Sequence, residues 1–195
     1  MPTRSILIAA LFATLAACAS MGGPSSSGAL APPTVNGIYI AQGACPGEGC
    51  TFGRWRATKP IDVYDAVGPA PRVLATIAAG ERVEALTGEV HLRPLRGVVR
   101  RPYGETLKPG DVVYLLDYLG EGENNIWRRG EILTWTDEGG DPASSDIAWD
   151  AHGDDWTGAV WWVQVKRANE TVGWLRDPRD FECSDSLAGD AGCDR

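Results

Sequence analysis

The chain has 195 residues and carries 26 Asp and Glu against 18 Lys and Arg, a formal net charge of −8. That acidic balance argues against nucleic acid and anionic lipid as charge-held partners. Eight Trp with scattered Gly and Pro mark a globular chain rather than a disordered one.

At the N-terminus, Arg4 leads into an apolar run from Ile6 to Ala17, which ends in Leu15-Ala16-Ala17-Cys18. The run is too short to span a bilayer comfortably, and it stops at small residues before a cysteine, as a secretory cleavage site does. It resembles the bacterial lipobox. The resemblance implies that residues 1–17 are a lipoprotein signal peptide, that Cys18 is acylated with fatty acid such as palmitate, and that the protein is lipid-anchored in the cell envelope. Cleavage would leave 178 residues with 17 basic and 26 acidic side chains, a net charge of −9. Membrane attachment would then rest on the acyl chains, at about 0.8 kcal/mol per buried methylene. Ala19 stands where well-studied Gram-negative lipoproteins retained at the inner membrane tend to carry Asp, so the expectation is the outer membrane, facing the periplasm.

Residues 18–35 read as the lipidated cysteine and a flexible linker. Thirteen of the seventeen residues from Ala19 to Val35 are Gly, Ser, Ala or Pro, a composition with a root-mean-square reach of about 20 to 25 Å. Residues 36–181 follow as the folded part, with 182–195 as a cysteine-containing tail.

Cys45 and Cys50 open the folded part, and Cys183 and Cys193 lie in the tail. Four cysteines besides Cys18 in an exported chain predict two disulfides, with three connectivities open. Cys45–Cys50 and Cys183–Cys193 would each contribute about 2 to 3 kcal/mol, and a Cys45–Cys183 bridge about 5. CPGEGC supplies the Gly and Pro that close a tight loop, which favours local pairs. Zinc is the rival reading; the Cys45–Cys50 gap is wider than the usual ligand spacer and no His lies near, so no metal is expected.

Short β-branched or aromatic runs come next: Arg54 to Tyr64, Glu81 to Leu86, Val112 to Leu116, Trp161 to Val165 and Val172 to Leu175, separated by Gly, Pro, Asn and Asp. No stretch of twelve residues after the linker keeps a 3.6-residue apolar period. The expected class is all-β, a small barrel or sandwich, with Ala168 to Glu170 as a hairpin turn. Thr76-Ile77-x-x-Gly80-Glu81-x-Val83-x-x-Leu86-Thr87 matches Thr106-Leu107-x-x-Gly110-Asp111-x-Val113-x-x-Leu116-Asp117 at an offset of thirty. The shared pattern predicts a turn with glycine at positive φ, an adjacent acid, and a strand whose Val and Leu face inward. Two copies are too few for a solenoid, so duplicated hairpins or two related barrels are expected.

From Ile61 to Val73 (IDVYDAVGPAPRV), through Thr76 to Leu86 (TIAAGERVEAL), to Trp161 to Leu175 (WWVQVKRANETVGWL), the order of features resembles bacterial SH3-like (SH3b) domains. The resemblance implies a non-catalytic envelope barrel that binds peptidoglycan or positions a protein partner. A typical copy is about half as long as Ile61 to Leu175. TLKPGDVVYLL and Glu121 to Ala159 must therefore be an embedded second copy or a large insertion.

Asp137, Glu138, Asp141, Asp146, Asp150, Asp154 and Asp155 surround His152. Such oxygen ligands could hold calcium, but their spacing matches no EF-hand loop, and a solvated acidic loop is expected. Trp55, Trp162 and Trp174 are expected in the core, whereas Trp149 and Trp156, set in polar sequence, are the candidate ligand contacts.

Catalytic signals are weak. The only histidines are His91 and His152, and no GxSxG elbow occurs. His152-Gly153 and Gly192-Cys193-Asp194-Arg195 resemble parts of the cell-wall cysteine transpeptidase motifs, with Cys193 as the would-be nucleophile, but the Ser-His that should precede the cysteine is missing. The chain is thus expected to be a non-enzymatic envelope lipoprotein without cofactor, binding peptidoglycan or an envelope protein. The alternative is a structural or assembly accessory with no small ligand.

Overall fold

Glycines and prolines cut most of the sequence after Gln42 into short runs, and the longest uninterrupted one, Ala159 to Val172, is rich in β-branched and aromatic residues and carries Asn169 where the chain turns. The computed structural model describes residues 31–136, 146–150 and 158–188. Within them the chain is all β, with no helix. In order the strands are β1 (Tyr39–Gln42), β2 (Gly53–Ala57), β3 (Ile61–Tyr64), β4 (Val73–Ile77), β5 (Arg82–Leu92), β6 (Leu95–Val99), β7 (Val112–Gly120), β8 (Glu123–Arg128), β9 (Glu131–Thr136), β10 (Ile147–Trp149), β11 (Val160–Arg167), β12 (Val172–Arg176) and β13 (Phe181–Glu182).

They form two antiparallel sheets. The first runs β13-β2-β5-β11-β12-β3-β4, with β1 beside the far half of β5, and the second runs β10-β6-β7-β8-β9. The second sheet is inserted in the chain between β5 and β11. Five neighbouring strands of the first sheet, β13-β2-β5-β11-β12, have the same order as the whole of the second. The β3–β4 hairpin, where Ile61 pairs with Ile77, has a short counterpart in the Tyr103–Leu107 bridge.

The sequence match lies at the same place in both sheets. Gly80 and Gly110 sit at φ 81° and 90°, a conformation that penalises a Cβ. Each glycine N–H donates to a neighbouring strand, Gly80 to the Ala57 carbonyl at 2.8 Å and Gly110 to that of Val99 at 2.9 Å. The acid that follows folds back: Glu81 accepts from the Ala78 N–H and Asp111 from the Lys108 N–H, both at 3.0 Å. Each acid then takes an arginine from the end of another strand. Arg167 donates to Glu81 at 2.7 and 3.0 Å, and Arg128 donates to Asp111 at 3.1 Å, with Arg129 at 3.5 Å.

Each sheet encloses its own core. Trp55, Val63, Ile77, Val163, Val165 and Leu175 centre the first, and Val99, Leu107, Val113, Leu115, Ile126 and Trp135 the second. Val83 and Val113 face inward as expected. Leu86 does not: it is 41% exposed. Opposite it the register of β11 steps from Val165–Ala85 to Gln164–Thr87, which leaves Leu86 as the extra residue of a bulge. The bulge reverses the alternation, so β5 buries Val83 and Ala85 before it and Val90 and Leu92 after it. β7 shifts register at the corresponding place, between Leu115 and Tyr118, and there Leu116 is buried.

Both turn acids are held below their ordinary carboxyl range. For Glu81 the Arg167 hydrogen bond is the main cause, acting against burial and helped by the Ala78 N–H. For Asp111 burial pushes upward, but the Lys108 N–H and the cations of Arg128 and Arg129 together outweigh it. A carboxyl lowered on folding stabilises above its unfolded pKa, and that stability is lost as pH falls through the folded value. Stability should therefore decline as pH drops from about 5 to about 3. Glu81→Gln with Asp111→Asn should flatten that decline and cost about 1–3 kcal/mol per site at neutral pH. Urea unfolding across pH checks this, and an identical pH profile in the double variant would refute it.

Candidate functional site

Past its bulge β5 presents Val90 and Leu92, and at its register shift β7 presents Leu116 and Asp117, to a cleft between the two sheets. The cleft has a volume of about 590 Å³ and is completed by Pro46, Tyr118, Asn124, Ala159, Trp161, Asp177 and Arg179. That size suits a small ligand or a peptide segment.

Trp161 forms a fixed wall. Its indole N–H donates to the Ala44 carbonyl at 3.1 Å, its backbone N–H donates to Asp177 Oδ1 at 2.9 Å, and its ring meets Trp55 edge-on at 6.0 Å. Trp161 therefore joins the first core to the cleft. Tyr118 stands opposite in character: 42% exposed, its hydroxyl accepts the Gly122 N–H at 3.2 Å.

Asp117 is the charged group set deepest in the cleft, 8% exposed, and its carboxylate accepts from the Asn125 amide at 3.2 and 3.1 Å. Nearby, Tyr39 has its hydroxyl pKa raised, first by burial and then by the charge of Asp117. Arg179 is exposed at the cleft, with no ion pair among the described residues.

Cys45 and Cys50 are disulfide-bonded, with Cα atoms 5.5 Å apart. The six-residue loop they close carries Pro46 into the cleft. It also reaches the second sheet, where Glu48 Oε1 accepts the backbone N–H of Glu121 at 3.0 Å. Cys183 is disulfide-bonded as well. Cys193 and the lipidation candidate Cys18 lie outside the described residues.

The two aromatic contact candidates fare differently. Trp149 is not on a polar loop: it ends β10, opposite Gly97, and packs edge-to-face on Trp135 at 5.5 Å against the second core. Trp156 lies outside the described residues. Trp55 and Trp162 are core residues at 1% and 3% exposure, while Trp174 is half-buried. Of the acidic run, Asp146 pairs with Arg101 and Asp150 with Arg96; Asp137, Glu138, Asp141, His152, Asp154 and Asp155 lie outside the described residues. Among the described residues no three His, Cys, Asp or Glu side chains group as a metal site. His91 pairs with Glu89 at 2.9 Å, on the face of β5 away from Val90 and Leu92.

No family model, curated protein or solved structure matches the chain. The cleft combines an apolar floor, two aromatic walls and polar groups of both signs.

Replacing Cys45 and Cys50 by Ser should cost about 2 kcal/mol through the lost loop constraint, about 4–8 °C in Tm. Because Ala44 anchors the Trp161 indole, the same variant should speed solvent exchange of that indole N–H. An unchanged exchange rate would show that the loop does not hold the cleft wall.

Proposed function

We propose that the chain is an envelope lipoprotein, anchored through acyl chains on Cys18, that displays a non-catalytic SH3-like binding module to peptidoglycan or an envelope protein. The observation that carries the binding part is the cleft between the two sheets, with Trp161 and Tyr118 beside an apolar floor. The lipobox and the linker carry the anchoring part. An acidic chain cannot hold an anionic polymer by net charge, so the grip is local to the cleft.

A second reading, an assembly accessory with no small ligand, is favoured by a different observation. Val73 and Leu74 on the edge strand β4 are 55% and 49% exposed, and Val172 on β12 is 44% exposed, apolar side chains that a protein partner could cover.

Cys18→Ala should abolish labelling with a radioactive fatty acid and release the protein from the membrane fraction; equal labelling would sink the lipoprotein reading. Tyr118→Ala with Arg179→Ala should weaken co-sedimentation with purified sacculi at least about tenfold, since one well-packed contact residue contributes 1–3 kcal/mol. The far-ultraviolet circular dichroism should not change. A wild-type protein that stays in the supernatant would transfer support to the accessory reading.

A further inference from the structure

Only two charged side chains belong to the buried set among the described residues, Asp111 and Asp117, each 8% exposed. Asp111 is matched by Arg128 and Arg129. Among the described residues Asp117 has a neutral partner alone, the Asn125 amide, and no Lys, Arg or His pairs with it. Several more exposed acids do have a basic partner: Glu81 has Arg167, Glu182 has Arg56 and Asp180 has Lys59.

A carboxylate removed from water without a cation is costly, so a site retaining one without a fold-level reason is suited to a cation from outside. Here the fold supplies only the neutral Asn125 amide, and the local backbone does not require the charge. Position 117 corresponds to Thr87 in the first sheet, where the same turn, strand and bulge form with a neutral residue.

From this we infer that the cleft takes a peptide bearing an aliphatic primary ammonium group: the ammonium seats on Asp117, its methylene stem lies on Val90, Leu92 and Leu116, and a carboxylate of the same ligand meets Arg179. The floor matches an alkyl stem, since aliphatic side chains can cover one without offering it competing polar partners. Asp117 supplies the fixed anion and Arg179, which has no ion pair among the described residues, the complementary cation. The inference rests on the reading of the cleft as a binding site. It does not depend on whether the larger ligand is a glycan-linked peptide or an envelope protein.

The test uses the full-length protein and Nα-acetyl-Lys-Ala, which has a free ε-ammonium and a free carboxylate. Its Nε-acetylated form and its C-terminal amide serve as comparisons. Binding is followed by nuclear magnetic resonance at the Trp161 indole N–H. The free form should give saturable shifts there, the acetylated form should bind at least about tenfold more weakly, and the amide should lose affinity to a similar degree as Arg179→Gln. Asp117→Asn should erase the preference for the free amine. Asp117→Thr, which installs the residue of the matching first-sheet position, should do the same, and the acetylation comparison on the unaltered protein needs no variant to fold. Equal binding of free and acetylated probe, or no saturable shift at about 10 mM, would overturn the inference. If sacculi still sediment with the protein in that case, the peptidoglycan reading survives alone; if the probe binds while sacculi do not, the inference survives and that reading fails.

Discussion

Strand β5 carries the architecture. Its first half pairs with β2, its second half with β1, and its other edge with β11 along most of its length. A regular strand of eleven residues would present one set of alternate side chains to one core. The extra residue at Leu86 inverts the pattern midway, so Val83 and Ala85 fill the first core and Val90 and Leu92 fill a second apolar patch with Ala41. β7 changes register at the matching point. The cleft exists because both strands turn over there and bring their far ends together between the sheets.

The glycine–acid turns hold those strands at their near ends. Glu81 and Asp111 each tie a backbone N–H three residues back to an arginine on the neighbouring strand, so the start of β5 is fixed to the end of β11 and the start of β7 to the end of β8. A charge-assisted, partly buried pair contributes more than a surface ion pair. The same chemistry makes Asp117 conspicuous, for it is as buried as Asp111 and has no such arginine.

Much of the β architecture could be read in advance because it depends on local residue types. Glycines at 80 and 110, the acids beside them and the β-branched runs specify the turns and the strands that follow. The run from Arg54 to Tyr64 is two strands, since Lys59 and Pro60 interrupt pairing and Thr58 turns to the Asp180 carbonyl. No run in the sequence marks β1, β4, β6, β8, β9, β10 or β13: they are short, or mix Asn, Arg, Glu and Thr on an exposed face, and owe their form to the neighbour each pairs with. Leu86 is unmarked too, because a bulge depends on the partner strand. Trp149 was placed on a loop from polar neighbours, but its indole finds Trp135. The cleft was the least legible feature, because Asp117, Trp161 and Arg179 become neighbours only when two sheets meet, and no spacing in the sequence marks a carboxylate that will lie buried without a cation.

The insertion of one sheet inside the other also dictates an order of assembly. Pairing Val90 with Trp161 closes a stretch of about seventy residues, a large loop entropy if the intervening chain is random. The second sheet lies wholly within that stretch, and its edge strand β10 pairs back onto β6, with Trp149 opposite Gly97 and the Asp150 N–H on the Arg96 carbonyl. Once it has formed, the two ends of the stretch are already side by side, and β11 needs only a short search to find β5. In chain order every strand of the inner sheet emerges before β11 does, whether from the ribosome or across a membrane. The inner sheet can thus act as a folding clasp, whose closure makes the outer sheet kinetically accessible.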